Sequence, residues 1–386
     1  MRLLWLNHHA EFIGGAEFYV HKTASLLRQH GFHSDLLYDV RSRASRDFST
    51  PFERVFPAVG EILEQIRSLA PDVIYIHRWE RPQDIGDIVA SGIPSARFYH
   101  DHDLFCLRRS KYKFLTQKAC SKPVGLRCYP CLGFLRRDDQ RKMTLRSVRS
   151  LRREQRANQP LSAHVVGSEY MLGQLVDHGF PKEHCHVNPL FAGLESSMAD
   201  ISPSARDRIL FVGQMTRGKG VDLLLKSIPL MRSKAGLDLV GDGPQRAEFE
   251  ALADELGIRN RVEFYGKMPR SELERRFHSA KCLVLPCRAP ETFAMVGPEA
   301  MRFGVPSIAT RIGGVSEWLK HGKTGLQVDP DSPEQLAAAV DQLFFDQGLH
   351  KSLSDGSKSA YESEFLPRFH VERLARMFSE LEKGAR

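Results

Sequence analysis

The sequence predicts an α/β fold made of two domains, each built on a parallel sheet that helices cover. Short apolar runs alternate with amphipathic stretches along a chain of 386 residues. The runs are nearly continuous, as is typical of strands buried on both faces. The alternation stops at a polar segment, residues 197–208, and restarts at residue 209. Two Rossmann-like domains joined by a linker explain this pattern, with parallel sheets facing a central cleft at the carboxyl ends of the strands.

The first domain is expected to cover residues 1–196. Its first strand is the apolar run LLWLN, and the amphipathic stretch after it predicts a helix that ends at a glycine. A second helix is expected over 57–69. The remaining strands are predicted from further apolar runs, at residues 33–40, 72–78, 96–100 and 163–168.

The second domain is expected to cover residues 209–365. Six apolar runs between its predicted helices are expected to be strands: ILFVG, LDLVG, VEFYG, CLVLP, SIAT and LQVD. Beyond it, residues 366–386 carry an apolar stripe at helical spacing. The stripe itself allows this last helix to pack on the second domain, but packing back on the first domain is the arrangement expected here.

The distribution of charge and the number of cysteines limit the ligands and the cellular compartment that we expect for this protein. The formal net charge is +8, and residues 100–160 hold 16 lysines and arginines against five acidic residues. This concentration of basic residues indicates that one face of the protein binds an anionic surface or an anionic substrate. There is no apolar run of about 18 residues that could span a membrane. Seven cysteines without a secretory leader favour a reducing, cytoplasmic environment over disulfides.

Two glutamates, Glu291 and Glu299, lie eight positions apart in ETFAMVGPE, after a strand-like run and at the start of a helix. A buried strand delivers the first of them to the carboxyl edge of a sheet, where the following helix presents its N-terminal amides. Carboxylates accept hydrogen bonds from hydroxyls, and amides donate to a pyrophosphate. A purely structural role is disfavoured, because an unpaired buried carboxylate costs several kcal/mol.

At these residues the sequence resembles the family 4 glycosyltransferases of the GT-B fold. The resemblance runs through RILFVGQMTRGKGVDLLL (208–225), LVGDGPQ (239–245), residues 261–287, the glutamate pair and residues 312–340. It implies a retaining transfer of a sugar from a nucleotide-sugar donor to a lipid-linked or saccharide acceptor, in the assembly of a cell-surface polysaccharide or a glycolipid.

The resemblance also implies roles for individual residues on the donor side. Lys219 matches the lysine that neutralises the donor diphosphate. Gln214 stands where the family usually has arginine, and Arg217 is close enough in sequence to supply that charge. Without such a charge, the departing diphosphate would be less well stabilised.

Glu299 matches the glutamate that holds the ribose hydroxyls, and Glu291 matches the one that contacts the transferred sugar. The amides of Phe293, Ala294 and Met295 are expected to meet the diphosphate or the sugar. The family commonly has glycine at the position of Ala294, so the sugar pocket is expected to be tighter here.

In the first domain, Gly14 and Gly15 stand where the first strand turns into the first helix, as in the donor-side glycine loop of the family. A plain turn is the alternative, and G-x-G-x-x-G, the nicotinamide fingerprint, is missing. His100 corresponds to the histidine of the family's His-Asp motif, which contacts the donor sugar; a loop histidine with no such role is the alternative. No strand-end Asp-x-Asp is present, so transfer without a metal is expected.

Four cysteines lie in one segment of the first domain, within a basic insert over residues 103–160: Cys106, Cys120, Cys128 and Cys131. Zinc is bound by such cysteines when they converge. The pattern allows a structural zinc knuckle, free thiols, or a disulfide or another cluster. A catalytic metal is not expected, because four thiolates leave no open position.

A basic helix is expected over 135–159. It is either a solvated face or a surface that docks on an anionic bilayer, with residues 107–156 as the contact. Nucleic acid is less favoured because aromatic residues do not interleave with the charges. Two rival functions remain: a sugar-nucleotide epimerase, and a non-catalytic basic protein that binds membranes or nucleic acid on a degenerate scaffold.

Overall fold

The computed structural model describes residues 1–39, 41–79, 81–113, 115–137, 143–192 and 207–385. These residues form two compact units. Unit 1 contains residues 1–111, 121–189 and 367–386, and unit 2 contains residues 112–120 and 190–366. The predicted linker, 197–208, lies outside the described residues except for its last two positions.

The strands follow the apolar runs of the sequence. In chain order they are β1 (Arg2–Asn7), β2 (His33–Asp39), β3 (Arg54–Ala58), β4 (Val73–Ile76), β5 (Ser95–Phe98), β6 (Leu135–Arg137), β7 (Met143–Leu145), β8 (Ala163–Val166), β9 (Cys185–Val187), β10 (Arg208–Val212), β11 (Gly236–Val240), β12 (Val262–Gly266), β13 (Ala280–Leu285), β14 (Ser307–Thr310) and β15 (Gly325–Val328).

The α-helices occupy the amphipathic stretches between them. They are α1 (Gly15–Gln29), α2 (Arg46–Ser49), α3 (Ile62–Leu69), α4 (Pro82–Ala90), α5 (Val148–Asn158), α6 (Glu169–Asp177), α7 (Val221–Ser227), α8 (Arg246–Glu255), α9 (Arg270–Ser279), α10 (Val296–Arg302), α11 (Pro333–Phe345), α12 (Gln347–Ala360) and α13 (Pro367–Ala385).

Each unit is built on a wholly parallel sheet. The order in unit 1 is β3-β2-β1-β4-β5-β8-β9, and the order in unit 2 is β12-β11-β10-β13-β14-β15. In both sheets the first strand has its successor on one side and a later strand on the other. The strand order therefore reverses between β1 and β4 and again between β10 and β13. Ligands of such folds bind at this reversal, beyond the carboxyl ends of the strands.

Apolar side chains from the sheet and its helices fill the core of each unit. In unit 1, Leu4, Leu6 and Ile74 of the sheet pack with Ile66 of α3 and Ile88 of α4. In unit 2, side chains of β10, β11 and β13 pack with those of α7, α8 and α11. This packing confirms the predicted class, α/β with two Rossmann-like sheets.

Two predicted helices are wrong at their starts. Residues 57–58 of the expected helix 57–69 belong to β3, and Gly60 then turns the chain with φ of 64° before α3 begins. β3 lies at the edge of the sheet, where Pro57 is tolerated. Of the expected helix 135–159, α5 covers 148–158, because Ser147 accepts a hydrogen bond from the amide of Ser150 and caps it there. The preceding residues 135–137 and 143–145 pair as the antiparallel strands β6 and β7.

The C-terminal helix α13 belongs to unit 1. Phe378 is fully buried, with its ring centroid 5.0 Å from that of Tyr75 on β4. His370 accepts a hydrogen bond from the hydroxyl of Tyr19 on α1. Within the described chain, no helix is both long and apolar enough to cross a bilayer.

Candidate functional site

The order reversal of unit 2 brings Lys219 and Glu291 together. Lys219 lies in a short helical turn after β10, and Glu291 lies six residues beyond β13. The Lys219 Nζ lies 2.6 Å from Oε1 of Glu291. Burial, the largest influence, lowers the pKa of Lys219, but the neighbouring Glu291 and Cys287 together raise it to about 12. The lysine is therefore a fixed positive charge at the switch point.

Glu299 lies on α10 and is buried, 7% exposed. Burial raises the pKa of its carboxyl, and the guanidinium of Arg270 opposes that shift. The Arg270 Nη2 donates to Oε1 of Glu299 at 2.6 Å. Both glutamates thus have cationic partners, so the cost of an unpaired carboxylate is no argument against a structural role. Arg270 was not predicted from the sequence, because its position at the start of α9 gives no hint of a partner 29 residues away.

Three consecutive backbone amides follow Glu291. Among the described residues, the N–H groups of Phe293, Ala294 and Met295 have no hydrogen-bond acceptor. The indole of Trp318 donates to the carbonyl of Phe293 at 2.7 Å and fixes this turn. Such a run of free donors, in the loop whose Glu291 pairs with Lys219, suits a negatively charged group.

Arg288, which was not predicted from the sequence, connects the two loops of this site. Its guanidinium forms two hydrogen bonds with the carboxylate of Asp222, and Nη1 also donates to the carbonyl of Arg217 at 3.1 Å. Its backbone N–H donates to Gly218 at 2.9 Å. Arg288 therefore holds the loop that carries Lys219 against the loop that carries Glu291.

Gln214 and Arg217, the other two residues predicted on the donor side, have different surroundings. Gln214 is exposed in the loop after β10. The guanidinium of Arg217 lies 3.2 Å from Glu248 of α8, and its amide donates to the side chain of Gln245. Arg217 thus has a carboxylate partner of its own, and its suggested role in place of the usual arginine stays a prediction.

Unit 1 gathers histidines at its own switch point. His77 follows β4 and His100 follows β5, and their rings share a hydrogen bond of 3.0 Å between Nδ1 and Nε2. Burial, with Arg78 and Arg97 adding to it, lowers the pKa of His100 to about 3. The imidazole is therefore neutral near neutral pH and can donate or accept one hydrogen bond per nitrogen.

Gly14 and Gly15 begin α1 at the same edge of the sheet. Gly14 is extended, and its N–H donates to Oε2 of the buried Glu17 at 3.0 Å. A side chain at Gly15 would meet open space. Neither glycine is required by backbone strain, and their role in a donor-side loop stays a prediction.

The four cysteines of the insert are free thiols. Cys106, Cys128 and Cys131 belong to unit 1, and Cys120 belongs to unit 2. Across the described ranges, no group of three or more histidine, cysteine, aspartate or glutamate side chains is placed to hold a metal ion. The structural zinc knuckle therefore stays a prediction.

Comparison with known proteins agrees with this geometry. Residues 199–360 match the family model of the glycosyl transferases group 1. The chain is 35% identical over 157 residues to an uncharacterised glycosyltransferase of Methanocaldococcus jannaschii, 40% of each chain. It is 32% identical over 208 residues to a D-inositol 3-phosphate glycosyltransferase of Acidothermus cellulolyticus, 48% of this chain and 46% of the relative. The chain thus spans less than half the length of these curated relatives.

Solved structures extend the likeness to the whole fold. HepE of Anabaena, in complex with UDP and glucose, superposes with a TM-score of 0.73 at 18% identity, covering 98% of this chain and all of that one. The lipopolysaccharide outer core galactosyltransferase WaaB gives 0.71 at 16% identity, again with 98% and full coverage. The fold is therefore GT-B, and the resemblance to the family 4 glycosyltransferases is confirmed over the matched residues.

Proposed function

We propose that the protein is a glycosyltransferase that moves a sugar from a nucleotide-sugar donor to a saccharide or lipid-linked acceptor. The observation that carries the proposal is the pairing of Lys219 with Glu291 at the switch point of unit 2, beside three unused backbone amides. A cation and amide donors suit a diphosphate, and carboxylates suit hydroxyls. The family match over residues 199–360 supports the same reading.

Each residue then has a role in the transfer. Lys219 and the amides of Phe293 to Met295 stabilise the charge that grows on the diphosphate as the glycosidic bond breaks. Glu299 accepts hydrogen bonds from the ribose hydroxyls, and Arg270 opposes the rise that burial causes in the pKa of its carboxyl. Glu291 holds the transferred sugar.

We further propose that the anomeric configuration is retained and that no metal takes part. Glu291 is already bound to Lys219, which favours a role in orientation over that of a free nucleophile. The acceptor hydroxyl then attacks on the face that the diphosphate leaves, and the diphosphate oxygen takes its proton. Lys219 supplies the positive charge that a metal provides elsewhere. His100, neutral at the end of β5, contacts the donor sugar.

Donor binding is tested by a thermal-shift screen of nucleotide sugars. A ligand at ~100 times its dissociation constant adds about 2.7 kcal/mol to the native state. One donor should raise the midpoint of the parent, and Glu299→Gln should abolish the shift. Glu263→Gln, an exposed change on β12, is the matched control and should keep it.

Turnover separates the rival functions. A transferase releases nucleoside diphosphate when an acceptor is added, whereas an epimerase changes the sugar and releases none. If no donor shifts the midpoint while anionic vesicles or RNA still bind, the non-catalytic binding protein replaces the transferase.

The basic insert supports a second proposal, that the protein works in the cytoplasm and docks peripherally on an anionic membrane. Leu126 is 80% exposed, and Tyr129 and Leu132 are exposed in the same turns as Arg127. Exposed apolar side chains among arginines suit the boundary between lipid headgroups and acyl chains.

Vesicle sedimentation tests this docking. The protein should sediment with vesicles that contain phosphatidylglycerol, less so at high salt, and not with phosphatidylcholine alone. Changing Leu126 and Leu132 to serine together should weaken sedimentation. Leu230→Ser, which changes a leucine of unit 2 that is 51% exposed, should have no effect. If the double serine variant and Leu230→Ser bind the anionic vesicles equally well, the basic insert is not the surface that contacts the membrane.

A further inference from the structure

Arg97 of β5 is an arginine at a cavity wall with no counter-ion. Its Nη1 donates to Oδ1 of Asn158 on α5 at 2.7 Å, a neutral partner. Asn158 is buried, and its amide nitrogen donates to the carbonyl of Glu154, which fixes its orientation. No carboxylate of the described residues pairs with Arg97. A guanidinium keeps its charge at every accessible pH, so this half-buried cation is unbalanced.

Two cavities of unit 1 share Arg97 in their walls. One is also lined by His77, Arg78 and His100 at the switch point. The other extends past Trp79 to Arg146 of the insert. Arg97 therefore lines both cavities, which also share Trp79, Asp103 and Leu104 in their walls.

Three carboxylates line the two cavities, and one of them, Asp101, accepts the backbone N–H of Asp103. Asp103 lies 2.6 Å from Nε of Arg109 and 2.8 Å from Nη1 of Arg146. Glu154 pairs with the same Arg146. On the other side, the closest ion-pair distance of Arg78 is 3.8 Å, to Glu17. Four arginines line the two cavities against these three carboxylates, and Arg97 is the one that has no ion pair among the described residues.

We propose that this space binds an anionic group, a phosphate or a carboxylate, carried by the saccharide acceptor, with Arg97 as its direct partner. Arginine suits both groups because its planar fork can donate two parallel hydrogen bonds. Trp79 and Leu104 give the cavity an apolar wall of the kind against which a sugar ring packs. The inference rests on the proposed transferase function and adds the class of acceptor: charged rather than neutral sugars.

Calorimetric titration with small probes tests the site. The probes are glucose 1-phosphate, glucuronate and neutral methyl glucoside, added to protein that carries Lys219→Met so that the donor side does not capture the anion. Either charged probe should bind more than about tenfold tighter than methyl glucoside, since a hydrogen bond to a charged group is worth about 1.5–3 kcal/mol. A preference for the phosphate probe or for glucuronate tells which anion is the natural one.

Variants separate a binding role from a structural one. Arg97→Gln should weaken the charged probe about tenfold to a hundredfold and leave methyl glucoside unchanged. Arg97→Lys should recover part of the loss. Arg153→Gln removes the same charge from the exposed face of α5 and should bind like the parent.

Equal binding of charged and neutral probes, or equal losses in Arg97→Gln and Arg153→Gln, would overturn the proposal. This failure is distinct from failure of the transferase function. Nucleotide sugars are screened on protein with Lys219 intact, and a donor that stabilises that protein upholds the function whatever the outcome at Arg97.

Discussion

At position 294 an alanine takes a backbone conformation that glycine adopts more readily. Its φ is 63°, in the left-handed region where the Cβ of an L-residue meets the carbonyl oxygen. We expect Ala294→Gly to stabilise the protein by up to about 1 kcal/mol, measured by urea unfolding. Ala251→Gly, in the exposed interior of α8, should instead cost about 1 kcal/mol. If Ala294→Gly lowers the free energy of unfolding as Ala251→Gly does, the backbone at Ala294 is not strained.

His370 links protonation to stability. Its Nδ1–H donates to the carbonyl of Pro189 at 2.8 Å, and its Nε2 accepts from the Tyr19 hydroxyl. Burial lowers its pKa to about 3. The unfolded chain takes up this proton near pH ~6.5 and the native state does not, so the contribution is complete above that pH and is lost as the pH falls toward about 3.

The free energy of unfolding of the parent should fall as the pH is lowered from about 7 to about 5. We expect this fall to be smaller by about 2 kcal/mol in His370→Gln. Urea titrations at both pH values measure this difference. The exposed His184 gives the matched control, and His184→Gln should keep the pH dependence of the parent. An unchanged slope in His370→Gln would contradict a neutral buried imidazole.

At this scale the sequence predicts residue types but not partners. Lys219, Glu291 and Glu299 were found because their motifs are local, and the structure places the first two in contact. Arg270 and Arg288 act on partners 29 to 71 residues away, and that proximity exists only once the strands are ordered. For the same reason, the sequence did not predict that Glu291 pairs with Lys219 and Glu299 with Arg270.

Among the elements, the loop after β14 sets the position of Glu291. Gly313 has φ of 61°, and a Cβ there would lie 2.3 Å from the Glu291 carbonyl oxygen. Gly314 donates its N–H to the same oxygen at 2.7 Å. We expect Gly313→Ala to displace the Glu291 loop and to abolish the thermal shift produced by the donor.

Gly322 is the matched control because its φ is 73° and a Cβ there meets open space. Both alanine variants should lose about 1 kcal/mol to backbone strain in urea unfolding, and Gly313→Ala should lose more because its Cβ meets the Glu291 backbone. Only Gly313→Ala should lose donor binding. If both variants bind the donor as the parent does, contact with Gly313 does not position Glu291.

Strands were predictable because parallel strands are buried on both faces and read as uninterrupted apolar runs. The runs at β10, β11 and β13 show this well. Edge elements lack that pattern. β3 carries arginine and proline, and β6 and β7 are arginine-rich or short, so both regions resembled amphipathic helices. Ser147, which starts α5, is a recognisable cap only when the residues before it are known to be strands.

For the whole molecule, the sequence indicates two domains but not the path of the chain between them. Residues 112–120 leave the basic insert and belong to unit 2, and residues 367–386 belong to unit 1. The apolar stripe of α13 fits any apolar face. Its assignment comes from Phe378 against Tyr75 and from His370 bonded to Tyr19, which the sequence separates by about 300 residues or more.

The return of α13 to unit 1 makes the stability of the N-terminal sheet depend on the C-terminal residues. Phe378 is fully buried, and its removal should cost about 3–5 kcal/mol. We expect Phe378→Ala to speed amide hydrogen exchange in peptides of α1 and β4, while peptides of β10, β11 and β13 keep the protection of the parent. Arg376→Ala, an exposed change on the same helix, should alter neither set. Because each unit has its own core, a loss confined to unit 1 is the physical consequence; an equal loss in both units would mean that the two cores unfold as one.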